Sequence, residues 1–388
     1  MSKLEKLIQE LCPNGVEYKT LSEIAEITRG IRVVRNQLTE QGEYPVYQNS
    51  MTPLGYYEKS NCLANTTFII AAGAAGEIGF SSVEFWAADD CFYFICSPSL
   101  QSRFLYYALL CQQNYILSRV RRASIPRLSR SVIGSIKIPV PPLPVQSEIV
   151  RILDNFAELT AELTAELTAE LTARRKQYEY YRDLLLTFND AGTIIARQGI
   201  TDLRRAVKWF TIESLCDIRR GKVISKDFIR DNPGEYPVYS SQTENNGILG
   251  LISEFVYDGD YLTWTTDGAN AGTIFYRSGR FNITNVCGLL KPTSDDINIR
   301  YLYFILSITA DKYVSRGMGN PKLMSNVMAR IKIPVPPLEE QARIVSILDR
   351  FDALCNDLTS GLPAEIEARK KQYEYYRDKL LTFKEKMA

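Results

Sequence analysis

The segment IKIPVPPLPVQSEIVRILDNF at 136–156 returns as IKIPVPPLEEQARIVSILDRF at 331–351, and RRKQYEYYRDLLLTF at 174–188 returns as RKKQYEYYRDKLLTF at 369–383, both displaced by 195 residues. A shared displacement marks one long duplicated element, so the chain must fold as two copies of one plan. Upstream the copies diverge but stay in register. Val16, Tyr18, Thr20, Leu21, Ile27, Arg29 and Gly30 answer to Val207, Trp209, Thr211, Ile212, Ile218, Arg220 and Gly221. GEYPVY occurs at 42–47 and 234–239, AGEIGF at 75–80 faces AGTIFY at 271–276, and IPRL at 125–128 faces NPKL at 320–323. Each half is thus a variable module of about 125 residues, the size of an ordinary domain, followed by a near-identical tail.

The modules read mainly as strands: NTTFIIAAG, CFYFIC and EYPVY place β-branched and aromatic residues between Gly, Asn and Pro. Apolar spacing predicts a helix over FLYYALLCQQNYILSRV and another over YLYFILSITADKYVS. In the tails, the prolines of IPVPPL impose an extended entry up to Pro144 or Pro337. A helix without Gly or Pro is then expected from Val145 to Phe188, its stripe Ile149, Ile152, Leu153, Phe156, Leu159, Leu163, Leu167 and Leu171 crossing four AELT tetrads at 157–172. Its 44 residues make a rod of roughly 65 Å, too long for one small domain to cover, so a partner helix is required. The second tail supplies one, with a break expected near 360–363, where Gly361 and Pro363 interrupt it.

Composition prunes the chemistry. Histidine is absent from all 388 residues, which removes Ser-His-Asp and Cys-His nucleophile systems and imidazole-dependent zinc sites. There is no G-x-x-x-x-G-K-[ST] phosphate loop, no G-x-G-x-x-G turn, and no Asn/Asp-Pro-Pro-aromatic run; Asp231, Asn232 and Pro233 match the last only in part. Asp89 and Asp90 could hold a metal, but their counterparts Asn285 and Val286 are neutral, which favours a local structural role. No metal or other cofactor is expected in this chain. The eight cysteines lack any CxxC and read as buried thiols. No apolar stretch approaches bilayer length and MSKLEKLIQE is no signal peptide, so a cytoplasmic location without membrane contact is expected. With a net charge of +1, any phosphate-binding charge must be local.

The order of variable module, proline-led long helix, variable module and proline-led long helix resembles the specificity subunit of type I restriction-modification systems over essentially the whole chain. IPVPPLEEQARIVSILDRF, KKQYEYYRDKLLTF and the AELT array are the most specific signatures. The resemblance implies an α+β fold: two mainly-β target-recognition domains with short helices, separated and joined by two long antiparallel helices in a coiled coil, with internal pseudo-twofold symmetry. The expected segments are 1–142 and 207–337 for the recognition domains, 143–188 and 338–388 for the spacer helices, and 189–206 for a linker. It also implies a bipartite double-stranded DNA target, two methyltransferase subunits docked on the helices, and motor-nuclease subunits in the full enzyme. S-adenosylmethionine, ATP and Mg are then expected in those partners, and this chain is a non-catalytic reader. Two other classes compete. A self-contained DNA methyltransferase would transfer methyl groups alone, and a tandem β-domain scaffold on a coiled-coil stalk would ignore duplex DNA at low salt.

Three clusters are candidates for DNA contact. SRVRRASIPRLSR carries Arg119, Arg121, Arg122, Arg127 and Arg130, five guanidiniums in twelve residues without an acid, able to pair with phosphates or read guanine edges. Its counterpart has Lys312, Arg316, Asn320 and Lys322, with Gly317 and Gly319 allowing close approach. The stretch after GEYPVY offers Gln48, Asn49 and Ser50 in one module and Ser240, Ser241, Gln242, Asn245 and Asn246 in the other, amides suited to adenine but equally to turns. Arg29, Arg32 and Arg35, with Arg219, Arg220 and Lys222, form a third cluster, expected on the loop after the first helix of each module. Tyr178, Tyr181, Tyr373 and Tyr376 in the tails are candidates for helix packing or a methyltransferase contact.

Overall fold

The computed structural model describes residues 2–122, 124–188, 207–317, 319–356 and 361–386; the linker expected at 189–206 lies outside them. The chain packs as two compact units, one of residues 1–168 with 365–388 and the other of residues 169–364. Each unit therefore takes in one variable module, part of the tail that follows it, and part of the other tail.

Both modules are built on the same sheet. In the first, the strand order is Ala25–Arg29, Cys91–Cys96, Thr66–Ile70, Ile78–Ser81, every neighbour antiparallel. In the second it is Cys216–Arg220, Cys287–Pro292, Tyr261–Thr265, Ile274–Arg277, again antiparallel throughout. The repeated YPVY lies inside a second sheet in each, of three strands in the first module and four in the second, where Tyr44–Tyr47 pairs in parallel with Trp86–Ala87, and Pro233–Tyr239 pairs in parallel with Arg280–Ile283. A two-stranded ribbon closes each module onto the start of its own tail: Tyr18–Thr20 with Lys137–Pro139, and Lys208–Thr211 with Lys332–Val335.

The matching strands hold one fully enclosed aromatic each, one register position apart: Phe68, whose counterpart is Thr263, and Trp264, whose counterpart is Ile69, and the sheets make room for them differently. The Phe68 ring lies over Gly79 of one neighbouring strand, where a Cβ would stand 2.3 Å away, while its other neighbour in register is Tyr93. The Trp264 ring lies over Gly288 on the opposite side, where a Cβ would stand 2.2 Å away, and its other neighbour is Ile274.

The helix expected over 104–120 is two helices, Ser102–Cys111 and Gln113–Ser118. Gln112 leaves helical geometry at φ −100°, ψ 13°, and its side chain donates to the Lys137 carbonyl, which turns Ile116 into the core. Its counterpart runs over Ile299–Thr309 and ends in a single 3-10 turn, Ala310–Tyr313. The long helix spans Leu143–Leu186, 44 residues, beginning two residues before the expected Val145. Pro144 sits in its first turn, where a missing N–H costs nothing. The second tail forms Leu338–Asn356 and Leu362–Leu381, with Pro363 likewise in a first turn; residues 357–360 lie outside those described.

Each long helix is latched to its own module by a buried glutamine. Gln146 donates to the carbonyls of Ser99 (2.8 Å) and Pro141 (2.7 Å) and accepts from Gln101 N–H (2.9 Å). Gln341 repeats this with Asp296 (2.7 Å), Pro336 (2.8 Å) and Asn298 N–H (2.8 Å). Two turns further on, Arg103 pairs with Asp154 at 2.7 Å and Arg300 pairs with Asp349. Buried amides with every bond made fix orientation as well as position, which accounts for one reason the tails match.

Within each unit, early residues of one tail meet late residues of the other, as in antiparallel pairs. Phe156 lies 5.6 Å from Tyr373 and 5.8 Å from Tyr376, ring centre to ring centre; Phe351 lies 6.4 Å from Tyr178 and 5.8 Å from Tyr181. The AELT leucines are at most half-buried, and Leu159 is 61% exposed.

Candidate nucleic-acid interface

The three polar clusters of the first module gather around one loop, Ala71–Gly76, at the end of the sheet where strands Ala25–Arg29 and Thr66–Ile70 finish. Backbone bonds assemble it. Ala71 N–H donates to the Asp90 carbonyl (2.7 Å), Ala74 N–H to the Asn49 carbonyl (2.9 Å), and Gly73 N–H to the Pro126 carbonyl (3.2 Å), while Leu128 N–H donates to the Ala71 carbonyl (2.8 Å). Gly73 has φ 83°, and a Cβ there would stand 2.8 Å from the Asn49 carbonyl oxygen, so only glycine lets the amide segment lie against the loop. Arg121 and Arg127 exchange backbone bonds of 2.8 and 3.1 Å, closing the arginine run into a finger. Arg29 is held at the same end, its Nε donating to the Asp89 carbonyl at 2.7 Å. Asp89 and Asp90 thus serve here through their backbone.

The second module repeats the backbone bonds between loop, finger and sheet, and joins the amide segment through a side chain instead. Thr266 N–H donates to the Val286 carbonyl (3.1 Å), Gly268 N–H to the Pro321 carbonyl (3.0 Å), Leu323 N–H to the Thr266 carbonyl (2.9 Å), and Ser315 and Lys322 close the finger with bonds of 2.9 and 3.0 Å. Asn270 Nδ2 donates to Thr243 Oγ1 at 3.0 Å, joining the loop to the segment that carries Ser241, Gln242 and Asn245.

Most candidate side chains are exposed, and their positions differ in detail from expectation. Arg29 and Arg220 end a strand instead of lying on the loop after the first helix, because a short helix leads straight into that strand in each module. Arg32 lies in the following loop, Arg35 opens a 3-10 turn, and Lys222 lies beyond its strand with a backbone bridge to Thr284. Arg119 stacks over Tyr115 at 4.9 Å. Arg130 starts the short helix Arg130–Gly134, beyond the finger. Gln48 and Ser241 are half-buried, Asn49 and Asn245 exposed. Gln242 is half-buried and donates to the Ile248 carbonyl. Lys312 is in the 3-10 turn, and Asn320 is at the tip of the second finger.

The two modules differ in charge. Among the described residues, Arg32, Arg35, Arg121, Arg122, Arg127 and Arg130 make no ion pair or side-chain hydrogen bond. In the second module Asp267 lies between Arg220 (3.6 Å) and Lys322 (3.8 Å), and Arg316 pairs with Asp311. Arg220 also donates to Thr266 Oγ1 (3.0 Å) and the Asn285 carbonyl (2.8 Å). Thr266, Asp267, Asn270 and Tyr115 escaped sequence reasoning; the available signal was the glycine pair Gly73 and Gly268, matched at 195 residues in AAGAAG and TDGANAG. Burial pushes the thiols of Cys62, Cys216 and Cys287 up to about 12, so these cysteines are inert core residues.

The family profile described as the type I restriction modification DNA specificity domain matches residues 13–173 and again 205–368. The chain belongs to this family. A putative type I specificity subunit of Mycoplasma pneumoniae is 44% identical across 64% of this chain and 93% of its own length. One from Haemophilus influenzae is 33% identical across 98% of both. Among solved structures, the type I S subunit of M. genitalium shares the fold with a TM-score of 0.54 at 19% identity, covering 95% of this chain and 96% of that one. The two profile matches coincide with the two repeats, so each assembly of finger, loop and amide segment belongs to one specificity domain. Among the described residues, no helix is long and apolar enough to cross a membrane.

On the tails, Tyr178, Tyr181, Tyr373 and Tyr376 contribute to the aromatic seams between helices. The most exposed rings are the neighbours Tyr180 and Tyr375, 63% and 62% exposed.

Proposed function

We propose that this specificity subunit reads a split duplex target, with the domain at 1–142 on one half and the domain at 207–337 on the other, and that catalysis belongs to partner subunits. The observation that carries the reading is the repeated assembly. In both domains, clusters separated by tens of residues reach the same sheet end, the finger through matching backbone bonds and the amide segment through a bond to the same loop, presenting arginine, lysine and amide groups together. Guanidinium and ammonium groups position a duplex through its phosphates, while amides read base edges. The helices at 143–188 and 338–388 then space the domains and dock two methyltransferase subunits, with motor-nuclease subunits joining in the full enzyme. S-adenosylmethionine, ATP and Mg act in those partners.

The test is a titration of duplex DNA at several salt concentrations. If the two domains neutralise roughly six phosphates, the log-log slope is about minus five. Replacing both Arg121 and Arg122 by alanine, two unpaired guanidiniums of the first finger, should make the slope shallower by about two. A slope of zero, or wild-type binding by the double variant, overturns the reading. A tandem scaffold would give the first result and a self-contained methyltransferase would methylate DNA alone.

A further inference from the structure

The second module turns through three successive residues of the left-handed region: Asn245 (φ 48°), Asn246 (φ 51°) and Gly247 (φ 77°). Such a run does not persist without support. The support is Arg277, the last residue of strand Ile274–Arg277, only 2% exposed. Its Nη1 donates to Asn246 Oδ1 at 3.1 Å and its Nε to Thr263 Oγ1 at 3.2 Å, and its guanidinium lies 3.6 Å from the Tyr239 ring centre and 4.3 Å from that of Phe275. No carboxylate pairs with it among the described residues. A buried cation without an anion is costly and is retained where ring faces and neutral acceptors replace water. A Cβ on Gly247 would stand 2.9 Å from Arg277 Nη2, so the turn closes directly over the guanidinium.

A guanidinium has five donors and no acceptor, so Asn246 turns its amide oxygen to Arg277 and is left with only its NH2 to offer. We infer that Arg277 is a positioning residue that fixes the Asn245–Gly247 turn and holds Asn246 as a hydrogen-bond donor toward DNA. The base contacted then presents an acceptor in the major groove, guanine O6 or N7, thymine O4 or adenine N7, and the bidentate contact of an asparagine with adenine N6 and N7 is ruled out. The inference rests on the reading of this module as a DNA reader. It applies to one half of the target only. The first module has Ser81 at the corresponding strand end, and no residue from Gln48 to Gly55 is left-handed.

Two measurements on the full chain test it. In hydrogen exchange without DNA, Arg277→Lys should speed the amides of 243–248 by about tenfold and leave the first module unchanged; unchanged exchange at 243–248 overturns the lock, whatever the chain binds. In selection from a randomised duplex library, Arg277→Lys and Asn246→Ala should each relax one base position of one half-site by about tenfold. Asn246→Asp, whose carboxylate stays with Arg277 and carries no outward donor, should shift that position toward bases with an exposed amino group. Should Arg277→Lys fail to melt cooperatively, Asn246→Ala carries the same test from an exposed position. An unchanged motif, or equal loss in both half-sites, overturns the inference. A wild-type chain that selects no split motif overturns instead the DNA-reading function on which it rests, and the exchange result still decides the lock.

Discussion

Glu148, near the start of the long helix, accepts from Arg151 and from Lys3 of the N-terminal helix Lys3–Leu11, each nitrogen 2.7 Å away. These hydrogen bonds, Arg151's first and Lys3's next, pull its carboxyl from the ordinary 4.5 down to about 2. A depressed carboxyl contributes stability that is fully present above the unfolded value and lost as pH falls through the folded one. Glu148→Gln should therefore melt below wild type above pH 4.5, with the difference closing between 4.5 and about 2; melting curves that stay equally separated across that range would exclude the coupling. At this scale the sequence is a partial guide. The arginine run 119–130 was plain because all its charges are local, whereas the aspartate that holds Arg220 lies 47 residues away at Asp267, and only the sheet brings them together. The Arg277–Asn246 bond was hidden for the same reason, and also because a buried unpaired arginine breaks the usual pattern of burial.

Helix Leu143–Leu186 was legible because it lacks glycine and has proline only where an N–H is dispensable. The division of 102–118 at Gln112 was not, since apolar spacing continues across it and only the bond to Lys137 and the seating of Ile116 reveal it. For the AELT array, half-buried at most, we expect a spacer role. Removing one tetrad takes away about 6 Å of helix and about 40° beyond a full turn, against about 3.4 Å and about 34° per base pair. Both quantities are met by a change near one base pair in the unspecified gap, the half-sites staying as they are. Methylome sequencing of cells carrying three, four and five tetrads measures it. Identical gaps would make the array a passive slippage-prone repeat, and altered half-sites would show damage to the modules themselves.

At the scale of the whole molecule the repeat runs through every level. The glutamine latch, the arginine–aspartate pair and the aromatic seam occur once per tail, and from that duplication we expect two equivalent docking faces. The mass of a reconstituted complex should correspond to two methyltransferases per specificity chain, and a one-to-one complex at saturation would contradict this. The enclosed aromatics set a limit on how such a chain can change by recombination between its own halves. A crossover after strand Thr66–Ile70 would bring Phe275 under the Phe68 ring in place of Gly79, and the reciprocal product would bring Phe92 under Trp264 in place of Gly288. Both hybrids collide in the middle of the sheet. Exchange is neutral only where the halves spell the same thing, at IKIPVPPL and KQYEYYRD, so that what passes from one chain to another is a whole module, inherited intact with the glycine its own aromatic needs.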